Sequence, residues 1–108
     1  MTIYSQGDIV EVDFSPSIGH EAQKRRPCMV VSNEAYNISN STTLVCPITS
    51  VQNNHYLHFP MKEGYGIEGF IIVEQIKSFD LDARPTKLIG HYREEHLAPI
   101  LSILRSFF

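Results

Sequence analysis

The chain has 108 residues, 43% of them apolar and 19% charged, and a formal charge of −3. That length leaves room for one hydrophobic core, so residues 1–108 are expected to form a single domain and a two-domain enzyme is excluded. Apolar and polar residues are interspersed throughout, which excludes a chain too polar to offset its ordering entropy.

No apolar run approaches the roughly 18 residues that span a bilayer. The opening MTIYSQGDIVEVDF has neither a basic leader nor an apolar signal core, so a cytoplasmic protein with no membrane partner is expected. The negative charge argues mildly against indiscriminate polyanion binding, yet Lys24, Arg25 and Arg26 are consecutive and concentrate positive charge at one place.

In chain order, Gly7 to Phe14 alternates apolar and polar with β-forming residues, which predicts a half-buried strand ending at Ser15-Pro16. The segment SPSIGHEAQKRR has Pro, Gly, Ser and charge without periodicity and reads as a long surface loop of the kind that carries function. CMVVSN and Thr43 to Ile48 predict two central strands, with Pro47 placing an edge, a bulge or an end near Thr49. The Asn- and Ser-rich NEAYNISNST between them reads as loop.

HYLHFPM is a further strand candidate, EGYGIEG a glycine-spaced turn, FIIVEQIKSF a strong strand signal, and Lys87 to Tyr92 a last strand. Leu97, Ile100, Leu101 and Leu104 recur at helical spacing. Pro99 is comfortable only in a first turn, so the helix is expected to begin near Ala98 or to follow a kinked turn. Short strands closed by one helix predict a mainly β fold, a small SH3-like antiparallel barrel. Cys28 and Cys46 lie in apolar strand-like runs without C-x-x-C spacing and read as buried reduced thiols.

Several motifs carry a resemblance across nearly the whole chain. G-D-I-V opens the first strand and D-F-S-P ends it; G-H-E is followed by R-P before the second strand; P-I-T ends the third; E-Q-I-K-S-F-D comes near the last strands of the sheet. In order and spacing the chain resembles the MazF/PemK family of toxin ribonucleases. The resemblance implies an SH3-like barrel, a homodimer, sequence-specific cleavage of single-stranded RNA, and inhibition by a partly disordered MazE/PemI-like antitoxin.

By motif position the resemblance assigns the chemistry to Arg26 and Thr49, matches His20 and Glu21 to the loop ahead of that arginine, and puts Glu74 and Gln75 on the RNA groove. Where the family carries Gln and Gly between Glu21 and Arg26, this chain reads AQKR, and loss of the glycine restricts positive-φ geometry there.

The residue types suit metal-free RNA cleavage, in which the ribose 2′-OH attacks its own phosphate. Such an enzyme must remove that proton, stabilise phosphoryl charge and protonate the departing 5′-oxygen. Arg26 offers a permanently charged fork for phosphoryl oxygens, and Thr49 offers a hydroxyl donor. His20 or Glu21 could move protons, the rival reading for each being a solvated loop side chain. For Arg26 the structural rival is an ion pair at a strand start.

Lys24 and Arg25 are candidates for positioning phosphates, Ser50 for an RNA contact beside Thr49, and Lys77, Arg84 and Lys87 for extending the groove. Tyr36, Tyr56, Phe59, Tyr65 and Phe70 offer faces on which bases could stack, although most aromatics of a small barrel are core. His55 and His58 form H-x-x-H, but no third ligand follows at a convincing spacing. Neither metal nor cofactor is expected. The competing functions are a non-enzymatic topoisomerase-poisoning toxin on the same fold and an SH3-like interaction domain; R-P and P-I-T favour the nuclease.

Overall fold

The computed structural model describes residues 2–14, 25–52 and 54–108. His20, Glu21 and Lys24 lie outside the described residues.

The elements in chain order are β1 (Asp8–Asp13), β2 (Arg25–Val30), α1 (Glu34–Ser39), β3 (Thr43–Thr49), β4 (His58–Pro60), β5 (Phe70–Ile72), β6 (Lys77–Phe79), β7 (Thr86–His91) and α2 (Glu94–Arg105). The strands form one antiparallel sheet in the order β4-β5-β3-β2-β1-β7, with β6 added to β3. The expected mainly β fold with a C-terminal helix is present. Its sheet is open, because β4 and β7 form the two ends of the hydrogen-bonded order.

The central strands are buried on both faces, and strand alternation divides the core in two. Ile9, Met29, Val31, Cys46, Ile48, Ile71 and Val73 point to the side where α2 presents Leu97, Ile100 and Leu104. Val10, Val12, Cys28, Val30 and Val45 point the other way and meet Tyr4 and Leu81. Phe14 and Phe79 pack at the border of that second cluster, their ring centroids 5.0 Å apart. The helix covers one face, and among the described residues a groove lies at the outer part of the other.

Four expectations need correction. Asn33 to Thr42 is not simply loop, because Glu34–Ser39 is a helix. The Asn33 side chain caps it by accepting the Tyr36 N–H at 2.9 Å, and buried Asn37 donates to the carbonyls of Tyr4 and Ser32. The same asparagines that favour turns here start and anchor a helix.

The FIIVEQIKSF run is not one strand. A one-turn 3-10 segment at Val73–Gln75 separates β5 from β6, and the two strands pair with different ends of β3. Strand β2 begins at Arg25, not after Pro27, because Asp13 and Val12 of β1 pair with Arg25 and Arg26.

Helix α2 begins at Glu94 and runs through Pro99. The bond missing at Pro99 is that to the carbonyl of Glu95, an exposed residue, so water can satisfy it. Pro47 is accommodated in a similar way. It falls between the β3–β6 pairs at Thr43–Val45 and the β3–β5 pairs at Ile48–Thr49, where no neighbour requires its missing N–H.

Candidate active site

Strand register brings the two motif residues together. Cys28 pairs with Pro47 at the end of the β2–β3 ladder, and Arg26 and Thr49 each lie two residues beyond that pair on their own strands. Both belong to the alternation that points away from α2, and both line one groove of about 450 Å³. Among the described residues the ion pairs are His58–Glu74, His91–Asp8 and Arg93–Glu95, so none holds Arg26. The guanidinium is exposed at the groove.

Thr49 is fixed from two directions. Its Oγ1 accepts the Val51 N–H at 3.1 Å, which orients the oxygen and leaves the hydroxyl hydrogen to be donated elsewhere. Behind it, Gly69 has φ +142°, and a Cβ there would stand 2.4 Å from the Thr49 carbonyl oxygen. Only glycine allows β5 to approach β3 this closely at the residue that supplies the hydroxyl.

Charge in the groove differs in sign from the chain as a whole. Arg26, Lys77 and Arg84 line it together with Gln75, and among the described residues no carboxylate does, although the chain is net negative. The Arg84 guanidinium carbon sits 5.2 Å from the centroid of Phe79 and 5.5 Å from that of Phe14. Its Nη1 also donates to the Asp13 carbonyl at 3.5 Å, so the cation is held at the wall by two rings and one backbone oxygen. An anion with flat, unstacked bases meets here both positive charge and aromatic surface.

The other candidates are dispersed. Ser50 is exposed and lines the adjoining cleft formed by the glycine-spaced turn before β5. Arg25 is exposed and alternates to the side opposite Arg26. Lys87 faces Glu11 in the β1–β7 register, away from the groove lining.

Glu74, expected beside Gln75 on the groove, instead turns to His58, with Oε2 2.9 Å from Nε2. Partial desolvation opposes its charge, but the hydrogen bond and the nearby imidazoles of His58 and His55 prevail and hold its carboxyl below the usual range. The third partner that the H-x-x-H spacing lacked in sequence is therefore supplied from another element.

Burial pushes the thiols of Cys28 and Cys46 up to about 12; both are free and take no part in the groove's charge. None of the five tyrosines and phenylalanines considered from sequence lines this groove, whereas Phe14 and Phe79 do. Both belong to motifs, D-F-S-P and K-S-F-D, and membership of a motif was the available signal for them. Gly69 had none, since its role depends on a backbone contact with a distant strand.

The chain is similar to known proteins along most of its length. Residues 5–108 match the family of the PemK-like, MazF-like toxin of type II toxin-antitoxin system. The chain is 40% identical over 98 residues to the endoribonuclease toxin ChpB of Escherichia coli, covering 85% of this chain and 83% of the relative. It superimposes on MazF from Deinococcus radiodurans with a TM-score of 0.82 at 26% identity, covering 99% of this chain and 97% of that one. The fold also matches a MazE-MazF structure from the same organism, with a TM-score of 0.85 at 24% identity over 98% of this chain and 96% of that one. Matched almost from end to end by the family model, the chain belongs to the PemK-like, MazF-like toxins of type II toxin-antitoxin systems.

Proposed function

We propose that the groove is the catalytic centre of a sequence-specific endoribonuclease toxin that cuts single-stranded mRNA in the cytoplasm without a metal. The observation that carries this reading is the meeting of Arg26, Lys77, Arg84, Gln75 and the Thr49 hydroxyl in one groove. Two aromatic rings border it. The relative's name, endoribonuclease toxin ChpB, supports the same activity.

In the proposed reaction the ribose 2′-oxygen forms a bond to the adjacent phosphorus while its proton passes to a base. The phosphorus–5′-oxygen bond breaks, and the departing oxygen takes up a proton to leave a 5′-hydroxyl fragment. Arg26 offsets the charge that grows on the phosphoryl oxygens, and Thr49 donates a hydrogen bond to the same group. Proton transfer falls to His20 or Glu21, the titratable residues that the motif places ahead of Arg26. Lys77 and Arg84 hold neighbouring phosphates or bases; Lys24 and Arg25 add salt-sensitive affinity.

The working unit is a homodimer, restrained by a MazE/PemI-like antitoxin. The family's description as part of a toxin-antitoxin system and the likeness to a MazE-MazF structure support this partner. Mapping the ends produced from a long unstructured RNA in chelator-containing buffer tests the activity. Recurrent cuts at one short sequence with 5′-hydroxyl ends are expected, and a metal requirement would refute the mechanism. Sedimentation showing only monomer at micromolar concentration would refute the dimer.

A further inference from the structure

We propose that His55, His58 and Glu74 form a binding site for a transition-metal cation of the zinc class, separate from the cleavage groove. One ligand atom from each residue lies within 4.8 Å of the others. The trio is assembled from the turn leading into β4, from β4 itself and from the 3-10 turn after β5, so the fold and not the local spacing completes it.

Each member is oriented. The His55 Nδ1 accepts the Leu57 N–H at 3.1 Å, which orients its ring. The rings of His55 and His58 stack with centroids 4.8 Å apart and planes inclined by 30°, so both imidazoles stand side by side next to the carboxylate. His58 is the anchor, its side chain only 8% exposed, with Nε2 against Glu74 and Nδ1 buried without a hydrogen-bond partner among the described residues. An ion held between Nε2 and the carboxylate takes the place of their hydrogen bond and leaves Nδ1 as the protonated nitrogen of a neutral imidazole.

Zinc binds imidazole nitrogen and carboxylate oxygen at about 2.0–2.2 Å, which places tetrahedral ligand atoms about 3.4 Å apart. Closing the present spread to that separation requires movement of Glu74 and His55, both at the surface, and the His55 ring gives up its bond from the Leu57 N–H, while His58 stays in place. Two imidazoles select zinc, cobalt, nickel or copper ions over magnesium and calcium, which take oxygen ligands. Three protein ligands leave a fourth position open. The ion would tie the turn before β4 to the 3-10 segment that carries Gln75 into the groove. It takes no part in cleavage, since none of its three ligands lines that groove.

The test is titration of untagged full-length protein with Co²⁺, followed by visible absorption, with Zn²⁺ as competitor. Saturation at one ion per chain and displacement by Zn²⁺ are expected, with Mg²⁺ ineffective. Because His58 is buried and its replacement can unfold the chain, the surface variants His55→Ala and Glu74→Gln carry the argument, with circular dichroism as the check on folding. Each should weaken binding by about 10- to 100-fold or more, the range seen even for indirect partners of metal ligands. His91→Ala, on a histidine paired elsewhere with Asp8, should bind as the parent does. Affinity should fall as acid protonates the imidazoles. Absence of saturable binding, or equal binding by His55→Ala and Glu74→Gln, overturns the proposal, and neither readout depends on RNA cleavage.

Discussion

Replacing Arg26 by alanine tests the cleavage groove most directly, because the structure separates what the residue does for folding from what it does for chemistry. Its side chain is exposed and is in no ion pair among the described residues, so removing it leaves no buried charge without a partner. The cost to stability should stay within the roughly 0.5–1 kcal/mol of an exposed strand substitution. For a domain of this size that moves Tm by no more than about 4–8 °C. The cost to chemistry is of another order. A unit charge about 4 Å from a phosphoryl oxygen, at the effective dielectric of a surface groove, is worth about 4 kcal/mol.

Loss of one such donor elsewhere costs about 2.7–4 kcal/mol, or roughly 100- to 1,000-fold in rate. Lys77 and Arg84 remain in the same groove and the site is open to water, so a loss near 100-fold in kcat is expected. Arg26→Lys keeps the charge without the planar fork and should fall between parent and alanine. Cleavage of a fluorogenic single-stranded RNA in chelator buffer, under single-turnover conditions, separates the chemical step from binding. Undiminished cleavage by folded Arg26→Ala protein would refute the assignment. Loss of folding in that variant would equally refute the placement of an unpaired arginine at the surface.

Four further outcomes are expected. Thr49→Val keeps the shape of the side chain but removes the donor and the acceptor for Val51 N–H, and should slow cleavage by about 10- to 100-fold, the worth of one hydrogen bond to a charged group. Arg84→Ala should weaken RNA binding and flatten the slope of log affinity against log salt by about 0.7 if the cation meets one phosphate of a single strand; an unchanged slope and affinity would show that Arg84 serves only Phe14 and Phe79. Gly69→Ala should cost more than about 1–3 kcal/mol in denaturant unfolding, since a strained φ is compounded by a clash with the Thr49 carbonyl, and a variant of parental stability would disprove the close approach. Burial raises both thiols to about 12 in the fold from an ordinary 9, so they add stability that is complete below pH 9 and is lost as pH rises toward 12; native protein at pH 8 should resist a thiol-reactive dye that labels it in denaturant.

Local sequence determined a good deal. The alternation of Asp8 to Asp13, the β-branched runs after Pro27 and around Val45, and the leucine-isoleucine stripe of α2 each appear in the structure, because strand and helix periodicity follow from which residues must be buried. The motifs around Arg26 and Thr49 pointed to two strand ends that line one groove. Asparagines misled at α1, since a cap and a turn use the same side-chain hydrogen bonds and differ only in whether the next residues continue as a helix. The long FIIVEQIKSF run misled because its β propensity cannot reveal that β3 changes partner midway along its length.

Tertiary structure alone decided which groups meet. The pairing of β2 with β3 left Arg26 and Thr49 lining one groove, β6 and the turn that leads from it to β7 brought Lys77 and Arg84 to the same groove, and the 3-10 turn carried Glu74 away from it to His58 and His55. A residue's type and its neighbours in sequence fix what chemistry it can perform. The partners it performs it with come from other strands, at separations along the chain that no local pattern encodes, because pairing register is chosen by burial of the whole sheet.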